Sequence, residues 1–419
     1  MFYNKNRRLR LGYGLSRELW LVEAGIFLNY LGYGAVLPFE VIYLHDARGF
    51  SLGFAGVVVG LVTGVAVATA PLAGPVIDRI GARLTAAGAG VALAAGYGGL
   101  AFAHTPAAAV AAAALAGAGN GVLNPSQSTL VAALAPAEIR HRATAVSRVA
   151  ANAGAGLGGG LGGLVAAYGL NGFIALFLAN AVTYLLYVVV LVAVVCEEKR
   201  PERAVGGYRL VLRDRAFVHL ALTNVAVIAV GWGAFTWLLP PYAKALGIGP
   251  RLIGLLLLAN TAAVVIAQVP IARLAEGRRR VVLIAIAGAA LVAGCLLVVL
   301  GGIHPASAYA ALLAATIAIG IGECFHTTAL MPLVAELAPV SLRGRYMAAM
   351  GFSWWIGLAL APTLGAQLLS VSARLTFLVA AAVAAVAAVS ALALERRLPA
   401  TARLTPRPAA FESDRSAAA

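Results

Sequence analysis

Glu323 stands inside an apolar run, "ALLAATIAIGIGECFHTTALMPLV", three residues before His326. That spacing puts a carboxylate and an imidazole on one face of a helix. One chemistry that uses the pair is a metal half-site. The di-iron form needs a second Glu-x-x-His and two further glutamates on facing helices. The sequence offers none, so neither metal nor cofactor is expected. The other chemistry is proton carriage. A carboxyl group among apolar side chains favours its neutral form and ionises where water reaches it. His326 is then a hydrogen-bond partner of Glu323 or a satisfied buried histidine, and the sequence leaves both open.

Other groups bear on the same chemistry. Glu23 and Glu40 lie near opposite ends of the first apolar segment. Each is either an interfacial side chain reaching water or a group that takes up and releases protons. Asn120, Asn124 and Gln127 share one helical face, and Thr327 lies one turn beyond Glu323. Asn29, Tyr30 and Tyr33 come from the first segment, and Asn224, Trp232 and Trp237 from the seventh. Amides and aromatic rings of this kind suit a large, mostly apolar or cationic solute. Packing against lipid is the alternative for each aromatic.

The elements that must position these groups follow from composition. The chain has 419 residues, of which 62% are hydrophobic and 11% charged. Soluble domains carry about 25% charged residues. Runs such as "GVVVGLVTGVAVATAPLAG" are long enough to cross a bilayer as helices. Twelve spans are predicted, over 19–44, 53–77, 84–104, 107–133, 144–168 and 172–196, then 216–239, 251–274, 280–302, 306–336, 346–370 and 374–395. The expected division is an N-terminal arm 1–18, a six-helix bundle 19–196, a central loop 197–215, a second bundle 216–395 and a disordered tail 396–419. The basic start imitates a signal peptide but lacks a small-x-small cleavage site, so an uncleaved first helix is expected. Cys196, Cys295 and Cys324 show no paired spacing and are read as packing residues.

Charge placement sets the orientation. With the N-terminus inside, 27 Lys and Arg fall on inner segments and only Arg48, Lys244, Arg251 and Arg374 on outer ones. This asymmetry puts both termini in the cytoplasm. It accounts for the net charge of +15 without nucleic acid, leaving the lipid bilayer as the polyanionic neighbour.

The sequence also repeats itself. "LVAALAPAEIRHRA" (130–143) and "LVAELAPVSLRGRY" (333–346) agree at eight of fourteen positions, 203 residues apart. Six spans separate them, so the halves share one topology, a parallel repeat about an axis along the membrane normal. The same offset maps Glu323 onto Asn120 and predicts that both face a central cavity. Each copy leads into small residues, "GAGLGGGLGG" and "GLALAPTLGA", read as close helix packing or as smooth faces on which the halves rock.

Between the second and third spans stands "GPVIDRIGAR", Gly74 to Arg83. It resembles the loop signature of the major facilitator superfamily, with Ala82 displacing the basic residue to Arg83. "NPSQSTLVAALAP", "RATAVSRVAANAGAGLGG" and "GECFHTTALMPLVAELAP" are most similar to bacterial twelve-helix drug:proton antiporters of that superfamily. Gly117 stands where many of those antiporters carry an arginine. The resemblance implies an all-helical fold of two pseudo-symmetric six-helix bundles, with the first, fourth, seventh and tenth helices around the pathway. It implies that Gly74, Asp78, Arg79, Gly81 and Arg83 form a latch between the halves, where the residues alone would also fit a solvated loop. The expected function is proton-coupled export of hydrophobic or cationic small molecules from a bacterial inner membrane, by a monomer. Uptake of a nutrient on the same fold and a non-transporting sensor are the alternatives. No nucleophile–base pair or phosphate-binding loop is present, so an enzyme is not expected.

Overall fold

The computed structural model describes residues 15–135, 140–193, 209–339 and 342–405; the side chains at 78, 132, 140–142, 144–145, 305 and 343–344 lie outside that description. Among the described residues, twelve helices are long and apolar enough to span a membrane. They are α1 (Arg17–Ala47), α2 (Leu52–Ile80), α3 (Ala82–Ala101), α4 (Pro106–Leu134), α5 (Arg140–Ala166) and α6 (Leu170–Ala193). The second set is α7 (Arg215–Trp237), α8 (Pro250–Ala275), α9 (Arg280–Ile303), α10 (Ala308–Leu337), α11 (Arg343–Val371) and α12 (Ala373–Leu394). Local chemistry fixes many of the ends. Ser16, Ser51, Thr105, Asp214 and Ser372 accept first-turn N–H groups as N-caps. Gly81 closes α2 at φ 89° and separates it from α3, a backbone angle for which glycine is the unstrained residue.

The internal repeat is realised in the packing. α1 packs on α5, α2 on α4, and α3 on α4 and α6; six helices later α7 packs on α11, α8 on α10, and α9 on α10 and α12. Between the halves, α2 meets α11 and α5 meets α8, a pair of contacts that the same six-helix shift interchanges.

Glycines make those seams close. On α5, Gly154, Gly158 and Gly162 lie against the α1 backbone, while Gly156, Gly159 and Gly163 lie against Thr261, Leu257 and the Pro250–Gly254 turn of α8. On α2, Gly53, Gly56 and Gly60 lie against Gln367, Ala366 and Thr363 of α11. All these inter-half contacts sit toward the end bearing the α1–α2 and α7–α8 turns, here the distal end. Toward the other end, where α1 begins and α12 finishes, the seams part. One turn past Gly60, Gly64 has nothing within 4 Å, nor does Gly74. On α8, Val265 and Ile266 are 69% and 74% exposed. The halves are therefore closed distally and apart at the terminal end.

The tail departs from expectation. Residues 396–405 are packed, not disordered. Leu398 and Ala402 are buried in the core at the foot of the second bundle. The Thr405 hydroxyl donates to the Ala275 carbonyl, and its backbone N–H donates to the Arg278 carbonyl at 2.9 Å. Apolar side chains and free backbone groups in the α8–α9 turn gave this segment somewhere to fold; residues 406–419 lie outside the described residues.

Candidate functional site

Near the midpoint of α10, Glu323, His326 and Thr327 line a small cavity of about 20 Å³ with Val227, Ile228, Trp232, Leu291 and Trp354. A π turn over Ala229–Ala234 interrupts α7 here and carries Trp232. Such one-turn widenings re-aim side chains and recur at functional sites. The Trp232 indole lies within hydrogen-bonding reach of the Glu323 carboxyl. The Trp232 and Trp354 rings are 5.9 Å apart, centre to centre, and tilted by 55°. A carboxylate beside two electron-rich ring faces suits an organic cation with a large apolar body. Thr327 donates to the Glu323 carbonyl at 2.9 Å, so its hydroxyl is largely engaged by its own helix. His326 is buried, and its Nε2 has no protein partner.

Asn120 is not in this pocket, although the repeat predicted that it would face the same cavity as Glu323. Every lining residue belongs to α7, α9, α10 or α11, all of the second bundle. Asn124 and Asn120 of the first bundle meet tyrosines of α1. Tyr30 donates to Asn124 at 3.2 Å, joining α1 to α4. Tyr33 lies against Asn120 and meets the Tyr97 ring edge-on at 6.3 Å. Gln127 is buried beside Tyr187 of α6. Asn29 falls between Gly25 and Gly32, whose Cα atoms touch Tyr187 and Asn180 of α6. Asn29 is buried on the side of α1 that faces α6. Asn224 donates to Ser353 of α11 at 2.7 Å.

Glu40 and Trp237 occupy a second position. Glu40 is 3% exposed, and the Trp237 indole N–H donates to its Oε2 at 3.2 Å across the two halves. Above this bond, Lys244 pairs with Asp46, again joining the halves. Glu40 is thus a buried part of the closed distal end. Glu23, 2% exposed, accepts a 2.7 Å hydrogen bond from Ser147 of α5. The reading of either acid as an interfacial side chain reaching water does not hold, because both are buried.

In the loop motif, Gly74 and Arg79 are exposed, Gly81 caps α2, and Arg83 is half-buried. The Asp78 side chain lies outside the described residues. Gly117 has a clear reason to be glycine. A Cβ there would sit 2.4 Å from the Val62 carbonyl oxygen of α2, so an arginine has no room.

The sequence pattern of the Major Facilitator Superfamily matches residues 23–238 and again 220–417. The chain belongs to this superfamily. It is 27% identical over 367 residues to the uncharacterized MFS-type transporter YttB of Bacillus subtilis (strain 168), covering 84% of this chain and 89% of that one. It is 26% identical to the multidrug resistance protein MdtH of Aeromonas salmonicida (strain A449), covering 81% and 84%. Among solved structures, the peptide transporter POT in complex with sulfate superposes with a TM-score of 0.75 at 16% identity, covering 93% of this chain and 96% of that one. A D-xylose-proton symporter superposes at 0.73 and 17% identity, covering 91% and 98%. These superpositions speak to the fold: this member of the superfamily is a multi-pass membrane transporter with the two-bundle architecture.

Trp354 was not among the residues singled out from the sequence. Its signal is the "FSWWIG" stretch in α11, outside the first, fourth, seventh and tenth spans that the resemblance puts around the pathway.

Proposed function

We propose that this transporter is a proton-coupled exporter of hydrophobic or cationic small molecules, working by alternating access in a bacterial cytoplasmic membrane with both termini inside. The observation that carries the reading is Glu323 in an apolar pocket walled by Trp232 and Trp354. A carboxylate there has one role when protonated and another when ionised. Neutral, it is compatible with an empty apolar pocket; ionised, it attracts a cation that the rings also hold. Proton and substrate then compete for one group, which is the logic of exchange. The Lys and Arg asymmetry puts the terminal end in the cytoplasm, so the parted halves admit substrate from inside. The MdtH resemblance favours export over uptake.

The test is efflux of ethidium from energised cells making wild type or Glu323→Gln, with and without a protonophore. The expected result is energy-dependent efflux lost in both perturbations. Efflux by Glu323→Gln at the wild-type rate removes that carboxyl from the coupling step. Wild-type efflux unaffected by the protonophore removes the proton.

A further inference from the structure

The cavity of about 20 Å³ at Glu323 has room for little more than one water. A bound solute must therefore extend beyond it, along the way in from the parted end. In that direction the exposed residue one turn from Glu323 is Thr327. The next polar group is the half-buried Gln268 of α8. Gln268 stands two turns past Thr261, the residue that meets Gly156 of α5. It thus lies on the seam face of α8, at the level where the halves have separated.

Hydrogen bonding fixes which end of the Gln268 amide faces Thr327. The Thr328 hydroxyl donates to the Cys324 carbonyl at 2.7 Å. With its one proton spent, Thr328 Oγ1 can only accept. The Gln268 atom 3.1 Å from it is therefore Nε2, which donates. Gln268 Oε1 is left turned toward Thr327. The Thr327 hydroxyl gives its proton to the Glu323 carbonyl at 2.9 Å, so its 3.4 Å approach to Gln268 Oε1 leaves that oxygen free to accept another bond. The Trp232 N–H is directed at the Glu323 carboxyl. What these commitments leave on the cavity side is a row of acceptors: the ionised Glu323 carboxylate, the Thr327 hydroxyl oxygen and Gln268 Oε1. His326 Nε2, which lines the cavity without a protein partner, takes either role according to its tautomer.

We infer that Gln268 and Thr327 are specificity-determining residues of the Glu323 site, which selects organic cations carrying N–H groups over quaternary ammonium and phosphonium ions that carry none. This selection rests on the cation-export reading above and narrows its substrate class. The carboxylate and the two tryptophan faces attract both kinds of cation. The row of acceptors separates them, because only an N–H donor fills it. A methyl group set against Gln268 Oε1 removes water from that oxygen without replacing the bond. Amines, amidines and guanidines attached to an aromatic body satisfy the carboxylate, the rings and the acceptors together.

A matched pair of probes tests the selection. Ethidium bears aromatic NH₂ groups, and its deaminated counterpart keeps the ring system and the charge. Calorimetric titration of the purified protein with each gives their affinity ratio. Wild type is expected to bind ethidium about fivefold tighter than the counterpart, the net worth of one hydrogen bond. Gln268→Met keeps the length of the side chain and removes the amide, and the preference should fall to within twofold. Gln268→Glu keeps an acceptor and should preserve it. Thr327→Val, on the other helix, should lower the preference as well and carries the test if Gln268→Met does not fold, which the melting temperature reports. Equal affinities in wild type overturn the selection. So does a preference that survives both Gln268→Met and Thr327→Val, including an equal loss of both probes, the mark of a purely structural contact. If wild type binds neither probe, the cation-export reading fails first and takes the selection with it, a pattern legible without any variant.

Discussion

The Trp237 indole, on α7 of the second bundle, donates at 3.2 Å to Glu40 on α1 of the first. Five residues earlier on the same helix, Trp232 reaches Glu323. α7 therefore offers one tryptophan to each of two acids, one inside its own bundle and one across the seam. The π turn over Ala229–Ala234 carries Trp232 and sets its direction relative to Trp237.

Replacing Trp237 with Phe keeps the ring and removes the N–H. Glu40 Oε2 then loses its donor while buried, which costs the closed state about 1–3 kcal/mol. Distal closure is expected to weaken roughly tenfold, read as slower crosslinking between cysteines placed at positions 46 and 244. Unchanged crosslinking would show that the bond does not hold the halves. The exposed Lys244–Asp46 pair is worth only about 0–1 kcal/mol, so Lys244→Ala should leave transport nearly intact.

The two glycine faces of α5 should fail differently. At Gly156 a Cβ would lie 2.4 Å from Thr261 of the opposite bundle, and at Gly158 it would lie 2.2 Å from the Leu31 carbonyl oxygen within its own. Gly156→Val is expected to wedge the seam and favour the distal-open state at near-normal thermal stability. Gly158→Val is expected to lower the melting temperature, at a cost of about 1–3 kcal/mol. Accessibility of a distal cysteine and thermal melting, measured on both variants, separate the effects.

Trp354→Ala removes one ring from the pocket and should weaken ethidium binding by about 1–2 kcal/mol, five- to thirtyfold. Fluorescence titration reads the loss. An unchanged affinity would move the cation elsewhere.

Thr405→Val deletes the hydroxyl that bonds Ala275 and caps the Arg278 N–H. The expected penalty is about 1–3 kcal/mol, visible as a lower melting temperature in detergent with transport retained by the folded fraction.

Much of this architecture is legible in the sequence. The apolar runs dictate spanning helices, and the repeat at 130–143 and 333–346 dictates two bundles of one topology. Glu323 stands out because a carboxylate inside such a run is costly. The repeat does not carry over to the pocket itself, because pseudo-symmetry relates backbones and not the contents of cavities: the pocket at Glu323 is lined by the second bundle, and Asn120 lies beside Tyr33. Spacing alone does not show that Asn224 donates to Ser353 of α11. Helical phase cannot tell a central cavity from a neighbouring helix within the same bundle. The π turn in α7 shifts that phase further, and no residue in "AVGWGA" announces it. In the tail, Pro399 and the arginines suggest solvation, while Leu398 and Ala402, too sparse to form a pattern, supply the anchors.

The six glycines that set α5 between α1 and α8 also bear on how this lineage can change. At all but Gly159 a single methyl group would clash with a neighbouring helix, so at those five positions variation is expected to be confined to very small residues. Variation that adapts the protein to new chemicals must fall on walls that tolerate a change of shape, such as Val227, Leu291 and Trp354. The frame that rocks and the surface that chooses are thereby exposed to different selective pressures, and the repertoire of solutes can drift while the motion stays fixed.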